Sequence, residues 1–62
     1  MFVEIHKKLI NLDHAPVIEM RNIKEPDGEK FYIEFVGIAK FLFEDEELRN
    51  REFERLCKAL AG

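Results

Sequence analysis

Up to residue 43 the apolar residues fall in short, often alternating runs; from about residue 45 they recur at helical spacing. Alternation sends successive side chains to opposite faces of a strand, whereas a spacing of three or four gathers them on one side of a helix. Residues 2–6 read as a strand with Val3 and Ile5 on one face and Phe2, Glu4 and His6 on the other. Lys7-Lys8 reads as the bend of a tight hairpin or a polar break, and residues 9–12 resume as a short strand. A turn follows over 13–16: Asp13 can accept hydrogen bonds from N–H groups just ahead, and Pro16 holds Ala15 out of helical geometry.

Residues 17–23 give the next strand. Ile18 and Met20 share one face and Val17, Glu19, Arg21 and Ile23 the other; the pattern leaves open which of these points inward. The segment 24–29 is a hairpin turn, because Pro26 presets φ, Asp27 and Gly28 accept turn geometry, and apolar runs flank it. Over 30–36 the alternation sets Phe31, Ile33 and Phe35 against Tyr32, Glu34 and Val36. Gly37 marks a turn or bulge. Residues 39–43 are the last strand, with Phe41 and Phe43 opposite Lys40 and Leu42.

A helix is predicted over about 45–61. Asp45 suits its N-cap, Glu46 and Glu47 suit the positive end of its dipole, and Arg55 and Lys58 the negative end. Phe53, Leu56, Cys57 and Leu60 form one apolar stripe flanked by Leu48 and Ala59, with Arg51, Glu54, Arg55 and Lys58 on the wet side. Gly62 stands where a C-terminal cap would be. Strands followed by one helix imply an α+β domain over 1–62: an antiparallel β-sheet of three to five strands, a β-meander, with the helix packed on one face.

Size sharpens the picture. At 62 residues, a chain buries only about 60% of the surface it exposes when unfolded. Chains this small commonly gain stability from disulfides, metals or oligomerisation. One cysteine, Cys57, rules out an internal disulfide. His6, His14 and Cys57 fall short of the four Cys or His ligands of a structural zinc site and lack its spacing, so no metal or cofactor is expected. Self-association, as a homodimer or higher homo-oligomer, remains.

Charge and apolar content narrow the setting. The net charge is −3, with ten basic and thirteen acidic side chains spread along the chain, so the basic footprint of a non-specific nucleic-acid binder is absent. No apolar run approaches the roughly 18 residues of a membrane span, and residues 1–6 lack the basic start and apolar stretch of a signal peptide. A lone cysteine without an export signal implies a reducing, cytoplasmic setting.

Catalysis finds little footing. There is no serine or threonine, Gly28, Gly37 and Gly62 are isolated, and Cys57 falls on the stripe expected to be buried. Adjacent Asp13 and His14 seldom point at one another, and Glu4 with His6 make neither a metal site nor a pocket. A non-enzyme is therefore expected. The i,i+4 pairs Glu47–Arg51 and Glu54–Lys58 read as a salt-bridged wet face.

The sheet's second face carries the main functional expectation. Val3, Ile5, Ile18, Met20, Phe31, Ile33, Phe35, Phe41 and Phe43 can meet the helix. Phe2, Tyr32, Val36 and Leu42 are left over, with Val17 and Ile23 as further members. A contiguous apolar patch of a few hundred Å² would mark an interface. Arg49 turns toward the apolar side of the helix. Either it stays wet where the helix start overhangs the sheet, pairing locally with Glu46 or Glu52, or it faces a partner. Phe2, Tyr32, Val36, Leu42 and Arg49 are thus the expected interface of a non-catalytic protein-interaction or assembly module that self-associates through this face or through a sheet edge. One alternative is a regulator that stacks single-stranded nucleic acid on Phe2 and Tyr32 beside Arg21, Lys30 and Lys40. Another is an inhibitor that blocks a host protein with its acidic surface.

The run Ile10-Asn11-Leu12-Asp13 leading to Val17-Ile18, the Asp27-Gly28 turn, the strand 31–36, the segment 41–44 and the acidic helix start resemble small bacterial and phage proteins built as a β-meander followed by one helix. His14-Ala15-Pro16 departs from that layout, which often continues without proline. The resemblance implies the order of elements; the group shares no activity and no site residues that carry over.

Overall fold

In a computed structural model that describes residues 1–13 and 17–61, five antiparallel strands and one helix make an α+β fold. The strands are β1 (Phe2–Ile5), β2 (Lys8–Asn11), β3 (Ile18–Glu25), β4 (Gly28–Phe35) and β5 (Ala39–Phe43); the helix is α1 (Glu46–Ala61). They divide into a two-stranded sheet, β1-β2, and a three-stranded meander in the order β3-β4-β5. The expected turn over 13–16 and the cap at Gly62 lie outside the described residues, apart from Asp13.

Asp13 binds backwards as well as locally. Its carboxylate pairs with the amino group of Met1. Its own N–H donates to Asn11 Oδ1 at 2.9 Å, and Leu12 N–H donates to Met1 O at 2.7 Å, extending the hairpin.

The first hairpin bends one residue earlier than the lysine pair suggests. Val3 opposes Ile10 and Ile5 opposes Lys8, so His6 and Lys7 form the turn and His6 leaves the strand. Both have positive φ, 50° and 64°, as the twist-matched two-residue turn demands. His6 is compensated by packing its ring against Phe43 and Phe41, with centroids 4.6 and 5.7 Å apart. Lys7 is exposed, so it carries the left-handed cost without that return.

The second hairpin turns on Pro26 and Asp27, with Glu25 opposite Gly28. Gly28, at φ 134°, takes the backbone angle that L side chains resist. Lys30 Nζ lies 3.2 Å from Asp27 Oδ2. That hydrogen bond holds the Asp27 carboxyl below its ordinary 3.8 and raises Lys30. The third connection, around Gly37, closes with Ile38 N–H donating to Phe35 O at 2.8 Å.

Register resolves the parity of β3. Ile18, Met20 and Asn22 stand opposite Phe35, Ile33 and Phe31, so they share the inner face; Glu19, Arg21 and Ile23 lie outside. The core joins Ile33, Phe35 and Phe41 from the meander, Leu56 from the helix, and Val3, Ile5, Ile10 and Leu12 from the first hairpin and its tail. Four of these eight buried side chains come from the hairpin and its tail. The inner face is therefore covered by two elements, not by the helix alone. Phe35 and Phe41 meet edge-to-face, 5.8 Å apart at 87°, the favoured aromatic arrangement.

The helix begins as expected. Asp45 Oδ1 accepts from Leu48 N–H at 2.8 Å, which satisfies one of the four orphan donors of the first turn. Glu47–Arg51 and Glu54–Lys58 pair at 2.8 and 3.2 Å on the exposed side. Cys57 departs from expectation: it is exposed, not buried with Leu56.

Two outcomes are expected. Lys7→Gly should raise stability by about 0.5–1 kcal/mol, read as a higher Tm, because glycine adopts the left-handed turn without the Cβ clash. Because the folded-state pKa of Asp27 is depressed, its contribution is present above pH about 4 and lost as pH falls through the folded value. Asp27→Asn should therefore flatten the acid limb of the stability–pH curve, measured by denaturant titration.

Candidate functional site: an open sheet margin

The cover on the inner face is uneven. Arg55 Nη2 donates to Glu4 O at 2.6 Å, tying one flank of the helix to β1. His6 sits on Phe41 and Phe43, so the first hairpin lies toward β5. On the helix's other flank, Glu46 Oε2 accepts from Asn22 Nδ2 of β3 at 3.4 Å, and Cys57 and Leu60 line a groove with Ile18. The β5 side is thus closed by the hairpin, the middle by the helix, and the β3 side by nothing among the described residues.

That open margin has two parts. The first is an apolar groove of about 230 Å³ lined by Ile18, Phe53, Leu56, Cys57 and Leu60. It falls below the ~300 Å³ at which small-molecule pockets begin, but takes side chains from a neighbouring strand or helix. Met20, next along the same face, is 48% exposed.

The second part is the free edge of β3. The strand pairs with β4 alone among the described residues. Val36 N–H donates to Val17 O at 2.8 Å, so residue 17 directs its backbone groups toward β4. Antiparallel ladders alternate that direction. Ile18, Met20, Asn22 and Lys24 therefore present N–H and C=O outward, an eight-residue edge of the kind that templates strand addition.

Arg49 holds the helix over this arrangement. It is 4% exposed. Its Nη1 donates to Asn22 Oδ1 at 2.8 Å and Arg21 O at 2.9 Å, with Tyr32 O at 3.4 Å, while Nε donates to Asn50 Oδ1 at 2.8 Å. The guanidinium also lies 5.6 Å from the Phe31 ring centre, within cation–π range. Glu46 is 3.7 Å from Nη2, the expected local pair. Arg49 is thus neither wet nor partner-facing. It is a buried internal clamp, held inward by Asn22 on the inner face of β3 and by the Arg21 carbonyl.

The other expected interface residues do not form one surface. Tyr32 and Leu42 are directly opposite each other on the outer face. Charges break up their surroundings: Lys40 Nζ lies 4.8 Å over the Tyr32 ring, Arg21 bridges Glu34 at 3.1 Å, and Glu19 is 3.7 Å from Arg21. Val36 is in the β4–β5 turn, and Phe2 belongs to the other sheet, exposed beside Leu9. Sequence reasoning missed the margin itself. Periodicity put Leu60 on the apolar stripe and left the parity of Met20 open, and it carried no sign that the cover stops short of either.

Among the described residues no three His, Cys, Asp or Glu side chains gather as metal ligands, and no helix is long and apolar enough to cross a membrane. His6 packs toward β5 and Cys57 toward β3, on opposite flanks of the helix. Compared with known proteins, the chain matches no family model, no curated sequence and no solved structure.

Arg49→Ala should cost about 2–4 kcal/mol in denaturant unfolding, since it removes a buried side chain together with its hydrogen bonds to Asn50, the Arg21 carbonyl and Asn22. Arg49→Met should cost less than Arg49→Ala, because it keeps most of the buried volume while the carbonyls of Arg21 and Tyr32 stay paired in the ladder.

Proposed function

We propose that the chain is a small non-catalytic protein-interaction or assembly module that works by strand addition at β3. One observation carries this reading: among the described residues, an unpaired eight-residue edge runs directly beside an uncovered apolar groove. Strand addition draws affinity from main-chain hydrogen bonds and specificity from pockets for alternate side chains. Here the edge supplies the former and the groove with Met20 the latter. A lone exposed thiol suits a reducing compartment such as the cytoplasm.

Single-stranded nucleic acid is a weaker fit. Its aromatic platform would be Tyr32, yet Glu19 and Glu34 share that face and Arg21 is already engaged by Glu34. Base stacking normally works with a positive groove that follows the phosphates.

Met20→Pro tests the site. The N–H it removes points to the free edge, so the β3–β4 ladder stays whole. The variant should keep its circular dichroism yet lose association, read by light scattering after size exclusion and by capture on the immobilised chain. Leu42→Glu on the outer face should leave association intact. The opposite pair of outcomes would move the site to the outer face.

A further inference from the structure

Resting on the reading of β3 as a docking edge, we propose that its occupant is a second copy of the same chain, paired antiparallel about a two-fold axis at Met20. The alternation fixed by the Val36–Val17 hydrogen bond turns the backbone groups of Ile18, Met20 and Asn22 outward. A two-fold axis through Met20 sets each of these against an equally outward residue: Met20 against Met20, Ile18 against Asn22, and Asn22 against Ile18 of the second copy. Each such pair exchanges both N–H···O=C bonds, and the two meanders become one six-stranded sheet.

Charge selects this register. On the outer face the same axis places Glu19 opposite Arg21 of the second copy, twice, and Val17 opposite Ile23, twice. Opposite charges directly across a ladder stabilise it, and like charges destabilise it. An axis at Glu19 would face two carboxylates. An axis at Arg21 would face two guanidinium groups and set Glu19 against Ile23. An axis at Asn22 would set Glu19 against Glu25, and one at Ile23, though it pairs Arg21 with Glu25, would set Glu19 against Asp27 and leave Ile18 without a partner in the strand. Centring on Met20 satisfies every charge between residues 17 and 23. It also buries the half-exposed Met20 side chain against its own copy, on the face where Phe53 and Ile18 are already partly covered.

Two experiments read the register. In a Cys57→Ser background, Met20→Cys should cross-link efficiently under mild oxidation, because directly opposed hydrogen-bonded residues have Cα atoms about 5.5 Å apart, inside disulfide range. Ile18→Cys should not, since its own copy lies about 13 Å away along the strand. In the second, Glu19→Arg and Arg21→Glu should each weaken self-association about tenfold by sedimentation, and an equimolar mixture of the two should recover the parent affinity as a heterodimer. Recovery on mixing has no intramolecular explanation. A parent chain that stays monomeric at millimolar concentration would overturn the second copy as occupant, as would cross-linking at 18 in place of 20 or no recovery on mixing. If the monomeric parent still captures a different protein and Met20→Pro does not, the docking edge stands and the self-pairing falls. If Met20→Pro changes neither, both fall.

Discussion

A guanidinium taken out of water must be paired on several sides or it unfolds what surrounds it, and Arg49 sets the position of the helix for that reason. Its donors reach Asn22 and the Arg21 carbonyl of β3, with the Tyr32 carbonyl of β4 nearby. These fix the first turns of α1 over the β3–β4 seam. Leu56, two turns further on, drops into the core beside Phe35 and Ile33. One polar and one apolar anchor along a single helix define both its height and its direction. The sheet's backbone acts as an acceptor surface because a carbonyl oxygen has two lone pairs and the ladder uses one.

The helix so placed cannot shelter both sides of the meander. The first hairpin takes the β5 side, contributing Val3, Ile5, Ile10 and Leu12 to the core and bonding to Arg55 through the Glu4 carbonyl. Nothing equivalent follows on the β3 side among the described residues. Ile18 is therefore only partly covered, and Met20, Cys57 and Leu60 are open to solvent. The asymmetry comes from chain order: the short hairpin precedes β3 and folds to the far edge, so β3 is left as a margin.

Much of this could be read in the residues. Strand order, the Pro26-Asp27-Gly28 turn, the inner set of Phe31, Ile33, Phe35, Phe41 and Phe43, and the Asp45 cap all follow from local patterning that the tertiary structure obeys. Three features were hidden for physical reasons. The division into two sheets depends on where the hairpin docks, which alternation does not encode. The direction of Arg49 depends on Asn22, a polar residue at an inner position that helical periodicity alone cannot see across 27 residues of chain. Cys57 lies on the apolar stripe yet on its flank, where exposure is set by how far the neighbouring strand reaches. The outer face misled for a related reason: counting Tyr32, Leu42, Val36 and Phe2 as leftover apolar surface ignored the lysine over Tyr32 and the removal of Phe2 to another sheet.

A free edge of eight residues is normally a hazard, and proteins blunt such edges with charge, proline or a covering segment. On β3 the charged residues are Glu19, Arg21, Lys24 and Glu25, and Arg21 and Glu19 already attract each other within one chain at 3.7 Å. A protective edge works best with charges of one sign, because any copy of itself is then repelled. Alternating signs around an apolar residue do the opposite. They disfavour registers in which like charges meet and favour ones in which acid meets base, the property on which the proposed pairing at Met20 rests.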